Sequence, residues 1–347
     1  MGSYRSVSSK STLFLSFPSQ ILWRSFGGLQ YYGYFCEFQK RKLMEKFEVH
    51  ILGCGSALPT TRHNATSQVI DLRDKLYMID CGEGTQSQYR RAGLSFSRLG
   101  HIFISHLHGD HCFGLMGLIS TLGLLGRTAT LHIHAFPELE TLMRPWLDYF
   151  CEGMAYDVEF HPFPHGCTDV IYEDRSVSVQ AFPLSHRVPC CGFVFQEKPT
   201  TSHIKREMID FYEIPFSQIN RIKNGEDYVT PEGKVIPNSR LTTPAAAPRK
   251  YVYCSDTKFN VNNVQYTKGA DLLFHEATFA DDRAARAEQT CHSTARQAAE
   301  MARLSEAKRL LIGHYSARYT DEQVLLDEAR EVFPQTMLSE EGKSYKI

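Results

Sequence analysis

The chain has 347 residues, of which 42 % are hydrophobic and 22 % charged, and its formal net charge is -1. This composition is typical of a globular protein with a full core, in one large domain or two small ones. The near-zero charge excludes a polybasic nucleic-acid binder, so an RNA partner would have to contact local basic patches. No apolar run reaches the ~18 residues that a membrane span needs.

Residues 1–43 differ in composition from the rest of the chain. They are rich in serine and aromatic residues and contain no acidic residue before Glu37. This pattern resembles an organellar transit peptide, but it also fits a start codon assigned too far upstream, with translation beginning at Met44. We favour the second explanation. The segment is therefore predicted to be an N-terminal extension that is disordered or misassigned.

The cysteines bear on the cellular compartment. The chain has ten, with no Cys-x-x-Cys pair and no regular spacing. They do not resemble a disulfide framework, which favours a reducing intracellular compartment. We predict a cytoplasmic protein, or an organellar one if residues 1–43 are a genuine transit peptide.

From residue 47 the chain alternates short strands with helices. Strands are predicted at Phe47–Leu52, Ser67–Leu72, Leu76–Asp80, His101–Ile104, Leu131–Ala135, Val158–Pro162, Ser176–Ala181, Cys191–Gln196, Tyr251–Cys254, Leu272–His275 and Arg309–Ile312. Helices are predicted at Thr85–Ala92, Cys112–Leu125, Glu138–Phe150, Thr294–Leu304 and Asp321–Val332. This order favours an α/β fold in which two mixed sheets pack face to face with helices outside.

Residues 198–247 interrupt this alternation. They contain a helix-like piece at His203–Tyr212, followed by turn-rich segments and a Pro/Ala tail at residues 244–248. We interpret the segment as an insertion into the main domain.

The strongest chemical signal is the sequence Ser-His-Leu-His-Gly-Asp-His at residues 105–111. It follows a predicted strand and leads into a predicted helix. His106 and His108 are two residues apart, so in extended backbone they project to the same side. Asp110 and His111, on the tighter turn, can face a second centre beside the first. Imidazole and carboxylate ligands suit zinc, manganese or iron, and the absence of thiolates argues against a closed structural zinc site.

Three later residues, His186, Asp256 and His314, each follow a predicted strand. Singly, each is more typical of a hydrogen-bonded structural residue. The pattern His-x-His-x-Asp-His after a strand, however, resembles the metallo-β-lactamase superfamily. That superfamily completes a two-metal site with a later His, a bridging Asp and a final His. This chain has all three in that order.

A more specific resemblance is to the ribonuclease Z (tRNase Z) family in its short form, from about Met44 to the C-terminus. It is carried by the segments Asp80-Cys81-Gly82-Glu83-Gly84-Thr85-Gln86, Ser105–His111, Asp271–Phe279 and His292-Ser293-Thr294-Ala295. The resemblance implies an αββα sandwich over residues 44–347. It also implies an endoribonuclease that removes the 3′ trailer of precursor tRNA, leaving a 3′-hydroxyl on the tRNA and a 5′-phosphate on the trailer.

The resemblance also assigns roles to residues. It implies two divalent ions per subunit, which we expect to be zinc, with manganese left open. The ligands would be His106, His108 and His186 at one ion and Asp110, His111 and His314 at the other, with Asp256 bridging them. Asp110 would accept a proton from the attacking water. His292 would protonate the leaving ribose oxygen, oriented by Glu276 together with His275.

Two departures from the family pattern concern substrate handling. The insertion at about 198–247 corresponds to an arm that grips the tRNA elbow, but the arm's Gly-Pro motif is replaced by Ile214-Pro215-Phe216-Ser217-Gln218. The family's Pro-x-Lys-x-Arg-Asn loop is replaced by Pro59-Thr60-Thr61-Arg62-His63-Asn64. The cleavage position and the response to a CCA end therefore stay open. The family also implies a homodimer in which the arm of one subunit presents tRNA to the other.

Two alternative functions remain. One is another phosphodiesterase or small-molecule hydrolase of the superfamily. The other is a catalytically inactive RNA-binding subunit. The presence of every predicted metal ligand argues against this second alternative.

Overall fold

The computed structural model describes residues 46–58 and 60–347, so the extension predicted over residues 1–43 lies outside the described residues. In the described part of the chain, no helix is long and apolar enough to cross a lipid bilayer. The nine cysteines of this part are free thiols.

The described chain contains runs of consecutive strands as well as strands separated by helices. In chain order they are β1 (Phe47–Gly53), β2 (Gly55–Ser56), β3 (Ser67–Leu72), β4 (Lys75–Ile79), β5 (Leu99–Phe103), β6 (Leu131–Ala135), β7 (Val158–Pro162), β8 (Val170–Glu173), β9 (Val177–Leu184), β10 (Cys190–Glu197), β11 (His203–Ile204), β12 (Tyr228–Val229), β13 (Val235–Ile236), β14 (Thr242–Thr243), β15 (Lys250–Cys254), β16 (Leu272–Glu276), β17 (Leu310–Gly313), β18 (Tyr315–Ser316), β19 (Thr336–Leu338) and β20 (Ser344–Lys346).

The helices connect these strands. They are α1 (Thr85–Arg91), α2 (Gly109–Cys112), α3 (Gly114–Leu124), α4 (Pro137–Phe150), α5 (Arg206–Phe211), α6 (Phe216–Lys223), α7 (Asn238–Leu241), α8 (Val264–Thr267), α9 (Ala284–Thr290), α10 (Ala295–Leu304) and α11 (Gln323–Val332). Short 3-10 turns occur at Phe96–Arg98, Val261–Asn263 and Asp281–Arg283.

Two seven-stranded mixed sheets form the centre of the fold. The first has the order β20-β1-β3-β4-β5-β6-β7 and the second β19-β17-β16-β15-β10-β9-β8. In the first sheet β4 to β7 run parallel, and in the second β15, β16, β17 and β19 do. Each sheet therefore has a block of strands whose carboxyl ends meet at one edge.

The sheets pack face to face because successive side chains along each strand point to opposite faces, and both faces are apolar. Phe103 of β5 lies between the sheets, with ring centroids 5.7 Å from Phe193 and 5.4 Å from Phe195. Its neighbour Ile102 faces the other way, into a core shared with α3 and α4. Alanines of α10 cover the second sheet on its outer face. The arrangement is the αββα sandwich that the sequence predicts.

Every predicted strand is present, and the helix predicted over Cys112–Leu125 is found at Gly114–Leu124, but a separate short helix that was not predicted precedes it. The chain enters a helix at Gly109, ends it at Cys112 and begins another at Gly114. The ladder breaks because the Gly114 N–H donates to the Cys81 carbonyl oxygen at 2.8 Å, not to the preceding turn. The helix-like piece predicted at His203–Tyr212 is strand β11 followed by α5.

The inserted segment between β10 and β15 folds around a small core of its own. Ile214, Ile222, Tyr228, Ile236 and Leu241 are buried together. Strand β11 pairs with β14, and β12 pairs with β13 as a hairpin. We call residues 198–249 the arm; its role in binding substrate stays a prediction.

Candidate metal centre

The loop after β5 and the first turn of α2 carry the histidine cluster. His108 is the extended residue before α2, and Asp110 and His111 lie in its first turn. The Cys81 N–H donates to the His111 carbonyl oxygen at 2.8 Å, which ties this turn to the loop after β4. The placement on a loop and a first helical turn is the one that the spacing predicts.

A glycine allows this close approach. A Cβ atom built on Gly82 would lie 2.4 Å from the Asp110 carbonyl oxygen and 2.5 Å from Ala65 Cβ. Both distances are shorter than non-bonded atoms tolerate, so any side chain here would push α2 away. The glycine that follows Asp80-Cys81 therefore sets the position of Asp110 and His111.

The first ligand set consists of His106, His108, His186 and one oxygen of Asp256. His108 Nδ1 lies 3.1 Å from His106 Nε2 and 3.2 Å from His186 Nε2. Asp256 Oδ2 lies 3.7 Å from both of those Nε2 atoms. Four potential ligand atoms thus surround one point.

The second set consists of Asp110, His111, His314 and the other oxygen of Asp256. Asp110 Oδ2 lies 3.5 Å from the Nε2 atoms of both His111 and His314. Asp256 Oδ1 lies 3.4 Å from His111 Nε2 and 3.2 Å from His314 Nε2. Asp256 therefore faces one set with each carboxylate oxygen.

The geometry of both sets fits a divalent metal ion. Ligand atoms that bind zinc tetrahedrally at ~2.0–2.1 Å are separated by roughly 3.3–3.4 Å, close to the separations in both sets. His111 Nε2, His314 Nε2 and Asp256 Oδ1 are buried and have no hydrogen-bond partner among the described residues. Buried polar atoms without a partner are costly, and a cation at their common point removes that cost.

Asp80 orients one imidazole of each ligand set through hydrogen bonds on the side of the ring away from the set. It is fully buried, and its Oδ2 accepts hydrogen bonds from the His111 Nδ1–H and the Ser105 hydroxyl, each at 2.8 Å. The Ser105 hydroxyl in turn lies 3.1 Å from His106 Nδ1. Because a donor Nδ1–H leaves Nε2 as the lone-pair nitrogen, these contacts turn Nε2 of His111 and His106 toward the ligand sets.

Glu276 and Thr278 do the same for His314. The Thr278 hydroxyl donates to Glu276 Oε2 at 2.6 Å and lies 2.9 Å from His314 Nδ1, whose N–H it accepts. His186 is oriented by a backbone contact, since its Nδ1–H donates to the Cys291 carbonyl oxygen at 2.9 Å. Each of these rings thereby presents Nε2 to its set.

His292 lies at the rim of the centre. Its Nδ1 is 2.8 Å from Glu276 Oε1 and 3.9 Å from Asp256 Oδ2. Burial lowers the pKa of His292, but the adjacent Glu276 carboxylate outweighs this effect and raises it to about 9. A protonated imidazole in this place can donate a proton. His275 contributes differently from our prediction: its Nδ1–H donates to the Glu276 carbonyl oxygen at 2.7 Å.

The loop at residues 60–64, which differs from the family's Pro-x-Lys-x-Arg-Asn pattern, is hydrogen-bonded to the C-terminal region. Arg62 donates to the Thr320 carbonyl oxygen at 2.7 Å and to Glu322 at 3.1 Å. The Asn64 N–H donates to Glu341 at 2.6 Å. On the other side of the loop, the Ala57 N–H donates to Asp110 Oδ2 at 2.8 Å. The backbone just before residues 60–64 thus contacts Asp110 directly.

The structure brings all nine predicted site residues to one edge of the sandwich. Sequence reasoning did not assign roles to Asp80, Ser105 and Thr278. A signal was present for each, since Asp80 and Thr278 belong to the segments that carry the family resemblance and Ser105 directly precedes His106.

The chain and its fold are similar to those of several known proteins. Residues 47–156 match the family model described as Anti-Pycsar protein Apyc1. The chain is 62 % identical over 304 residues to the ribonuclease Z of Phocaeicola vulgatus, covering 88 % of this chain and 98 % of that protein. Among solved structures, the short form of human tRNase Z has a TM-score of 0.62 at 25 % identity, covering 86 % of this chain and 99 % of that one. The metallo-β-lactamase fold protein YhfI of Bacillus subtilis has a TM-score of 0.60 at 16 % identity, covering 87 % and 100 %.

Proposed function

The chain belongs to the ribonuclease Z family, and we infer that it is a hydrolytic endonuclease of tRNA 3′ processing. We place the cut at the 3′ trailer of precursor tRNA, with a 3′-hydroxyl left on the tRNA and a 5′-phosphate on the trailer. The two ligand sets are assigned to two divalent ions, with zinc as the expected metal.

One observation carries the assignment of the centre. Asp256 directs Oδ2 at one ligand set and Oδ1 at the other. Oδ1 and the two nitrogens beside it, His111 Nε2 and His314 Nε2, are buried and have no hydrogen-bond partner among the described residues. A single carboxylate between two imidazole sets is suited to two cations, because it offers an oxygen to each and offsets their charge.

Divalent ions bound there would lower the pKa of water and polarise a phosphoryl oxygen of the scissile diester. The protein's own residues supply orientation and proton transfer. Asp110 contributes Oδ2 to the second ligand set, and its carboxylate is assigned to accept the proton that the attacking water loses. The Ala57 N–H bond keeps that oxygen in place.

The leaving 3′ oxygen of the tRNA needs a proton as its bond to phosphorus breaks. His292 is assigned this role because it lies beside the ligand sets and its contact with the Glu276 carboxylate favours the protonated imidazole. Glu276 also holds His314 through Thr278, so one buried carboxylate orients both the proton donor and a ligand.

The arm and a second subunit are assigned to substrate binding. The arm exposes two aromatic side chains, Phe211 and Phe216, which suit stacking on nucleotides. A homodimer is supported by large apolar side chains left exposed around α3, namely Phe113, Leu124 and Leu125. Sedimentation equilibrium of the purified chain tests this: a mass of two chains is expected, and a monomer at all concentrations would refute it.

The decisive test of function is cleavage of a 3′-extended precursor tRNA. Wild type is expected to release the trailer in a reaction that a chelator abolishes, whereas Asp110→Ala releases none. The matched control is Asp327→Ala, which removes an exposed carboxylate of α11 and should cleave like wild type. Turnover of a small chromogenic phosphodiester with intact precursor would overturn the assignment. Equal cleavage by Asp110→Ala would overturn the role of that residue.

A further inference from the structure

A second group of ligand-type side chains lies on the edge of the first sheet. His132 Nδ1 is 3.0 Å from His161 Nε2 and 3.3 Å from Glu159 Oε2. Glu159 Oε2 is 3.8 Å from the same nitrogen of His161. None of the three belongs to the centre described above.

Strand register explains why these side chains meet. His132 of β6 is directly opposite Glu159 of the edge strand β7, and His161 lies two residues further along β7. Residues opposite each other or on that diagonal share one face of a sheet, within reach of long side chains. The alternation places Leu131, Ile133 and Phe160 on the opposite, apolar face. The three polar groups are therefore fixed together by the backbone.

The contacts within this group are poorly satisfied by hydrogen atoms alone. Two neutral imidazoles that face each other through Nδ1 and Nε2 can share one proton between them. Whichever ring supplies that proton, the other nitrogen turns a lone pair toward the Glu159 carboxylate. A cation at the point between the three atoms is attracted to all of them.

Two further histidines surround the group with neutral rings. The His101 ring stacks on His132 with centroids 4.8 Å apart, and His134 stacks on His161 at the same distance. Burial lowers the pKa of His132, and burial together with neighbouring imidazoles lowers that of His101 to about 3. Neutral imidazole is the form that binds metal, so the lowered pKa of His132 favours its metal-binding form near neutral pH.

We propose that His132, Glu159 and His161 form a peripheral site for a divalent transition metal of the zinc class. The three interatomic distances are 3.0 to 3.8 Å, close to the 3.1 to 3.7 Å between ligand atoms in the two sets of the metal centre. Solvent completes the coordination, because Glu159 and His161 are exposed. The ion links β6 to the edge strand β7, and so stabilises an edge that pairs with no further strand of its sheet among the described residues.

The test uses zinc as the probe and counts ions. Wild type, Glu159→Gln and His161→Gln are dialysed against micromolar free zinc, and bound metal is measured by mass spectrometry. His165→Gln is the matched control. His165 is also an exposed histidine paired with a glutamate, Glu138, at 3.0 Å, but it has no third ligand among the described residues. Wild type and the control are expected to hold one zinc ion per chain more than the other two variants.

A second measurement separates this site from the catalytic one. Asp256→Asn removes the bridging carboxylate of the catalytic centre and should keep the peripheral ion. Zinc should also raise the melting temperature of Asp256→Asn, and this rise should vanish when His161→Gln is added. Equal zinc content in wild type, Glu159→Gln and His161→Gln would overturn the proposal and leave the histidine pair sharing a proton.

Discussion

The metal centre and the arm are built in opposite ways. In the centre, the ligand-bearing rings are mostly buried and several are fixed by a second partner, as His111 is by Asp80 and His314 by Thr278. In the arm, five apolar residues form the core and an exposed pair such as Arg221 with Glu226 is typical of its surface. The centre is therefore fixed by buried hydrogen bonds, while the arm depends on a small apolar core of its own.

This difference predicts two kinds of mutational response. Changes in the centre should reduce the chemical step and metal binding, because preset geometry is lost. Changes in the arm should raise the KM for precursor tRNA and leave the centre intact, because they affect binding that is equal in ground and transition states.

The largest effect is expected from Asp256→Asn. An amide cannot offer a charged oxygen to each ligand set, so single-turnover cleavage of precursor tRNA should fall by about a thousandfold or more. Metal analysis should show loss of catalytic ions from a protein whose circular dichroism is unchanged. Cleavage within tenfold of wild type would contradict the bridging assignment.

Asp80→Asn should have the next largest effect. The substitution places an amide where buried donors from Ser105, His111 and Tyr253 converge. Metal affinity at the centre should fall by about 10–100-fold, as measured by competition with a chromogenic chelator. Asp71→Asn is the control, since Asp71 is equally buried but pairs with Lys46 and Arg98. It should reduce stability without this loss of affinity, and a similar loss in both variants would point to general destabilisation.

In the arm, Phe216→Ala should raise the KM for precursor tRNA by roughly tenfold, because base stacking on an aromatic ring contributes about 1–3 kcal/mol. Phe216 is 87 % exposed at the start of α6, so its removal leaves no cavity. Steady-state kinetics should show kcat within about twofold of wild type. Leu142→Ala, an exposed apolar residue of α4, is the control and should change neither constant. A change in kcat alone would separate Phe216 from substrate binding.

The smallest effect on chemistry is expected from Ile222→Ala. This side chain is buried in the arm's core, and its truncation should destabilise the arm by about 2–4 kcal/mol. Limited proteolysis should then cut faster between residues 198 and 249 while metal content stays at the wild-type level. Metal loss in step with proteolysis would show that the two regions unfold together.

The sequence predicts which side chains meet in the two ligand sets better than it predicts the residues that hold them in place. His106 and His108 are two residues apart on extended chain, a spacing that places them together whatever the fold around them. Asp80 reaches His111 from the end of another strand, with a left-handed backbone at φ 55°. A contact of this kind depends on how β4 and β5 pair, so the strand and turn pattern around Asp80 does not predict it; only the family resemblance of this segment points to it.

The same distinction applies to the fold. Strands that alternate over five or more residues are predicted from their pattern, whereas the three-residue strands β19 and β20 are missed. So short a strand shows no period, and it exists because β17 and β1 offer it backbone partners. The split between α2 and α3 was likewise missed, because Cys81 of a distant loop takes the Gly114 hydrogen bond.

Asp256 and Asp80 each touch both ligand sets, Asp256 directly and Asp80 through His111 and Ser105. Filling one set should therefore organise the other, so that loading is cooperative. A zinc titration of the empty centre should have a Hill slope above one. Forms with only one ion bound should be scarce. The enzyme should change from the metal-free form to the form with two bound ions over a narrow range of free metal concentration.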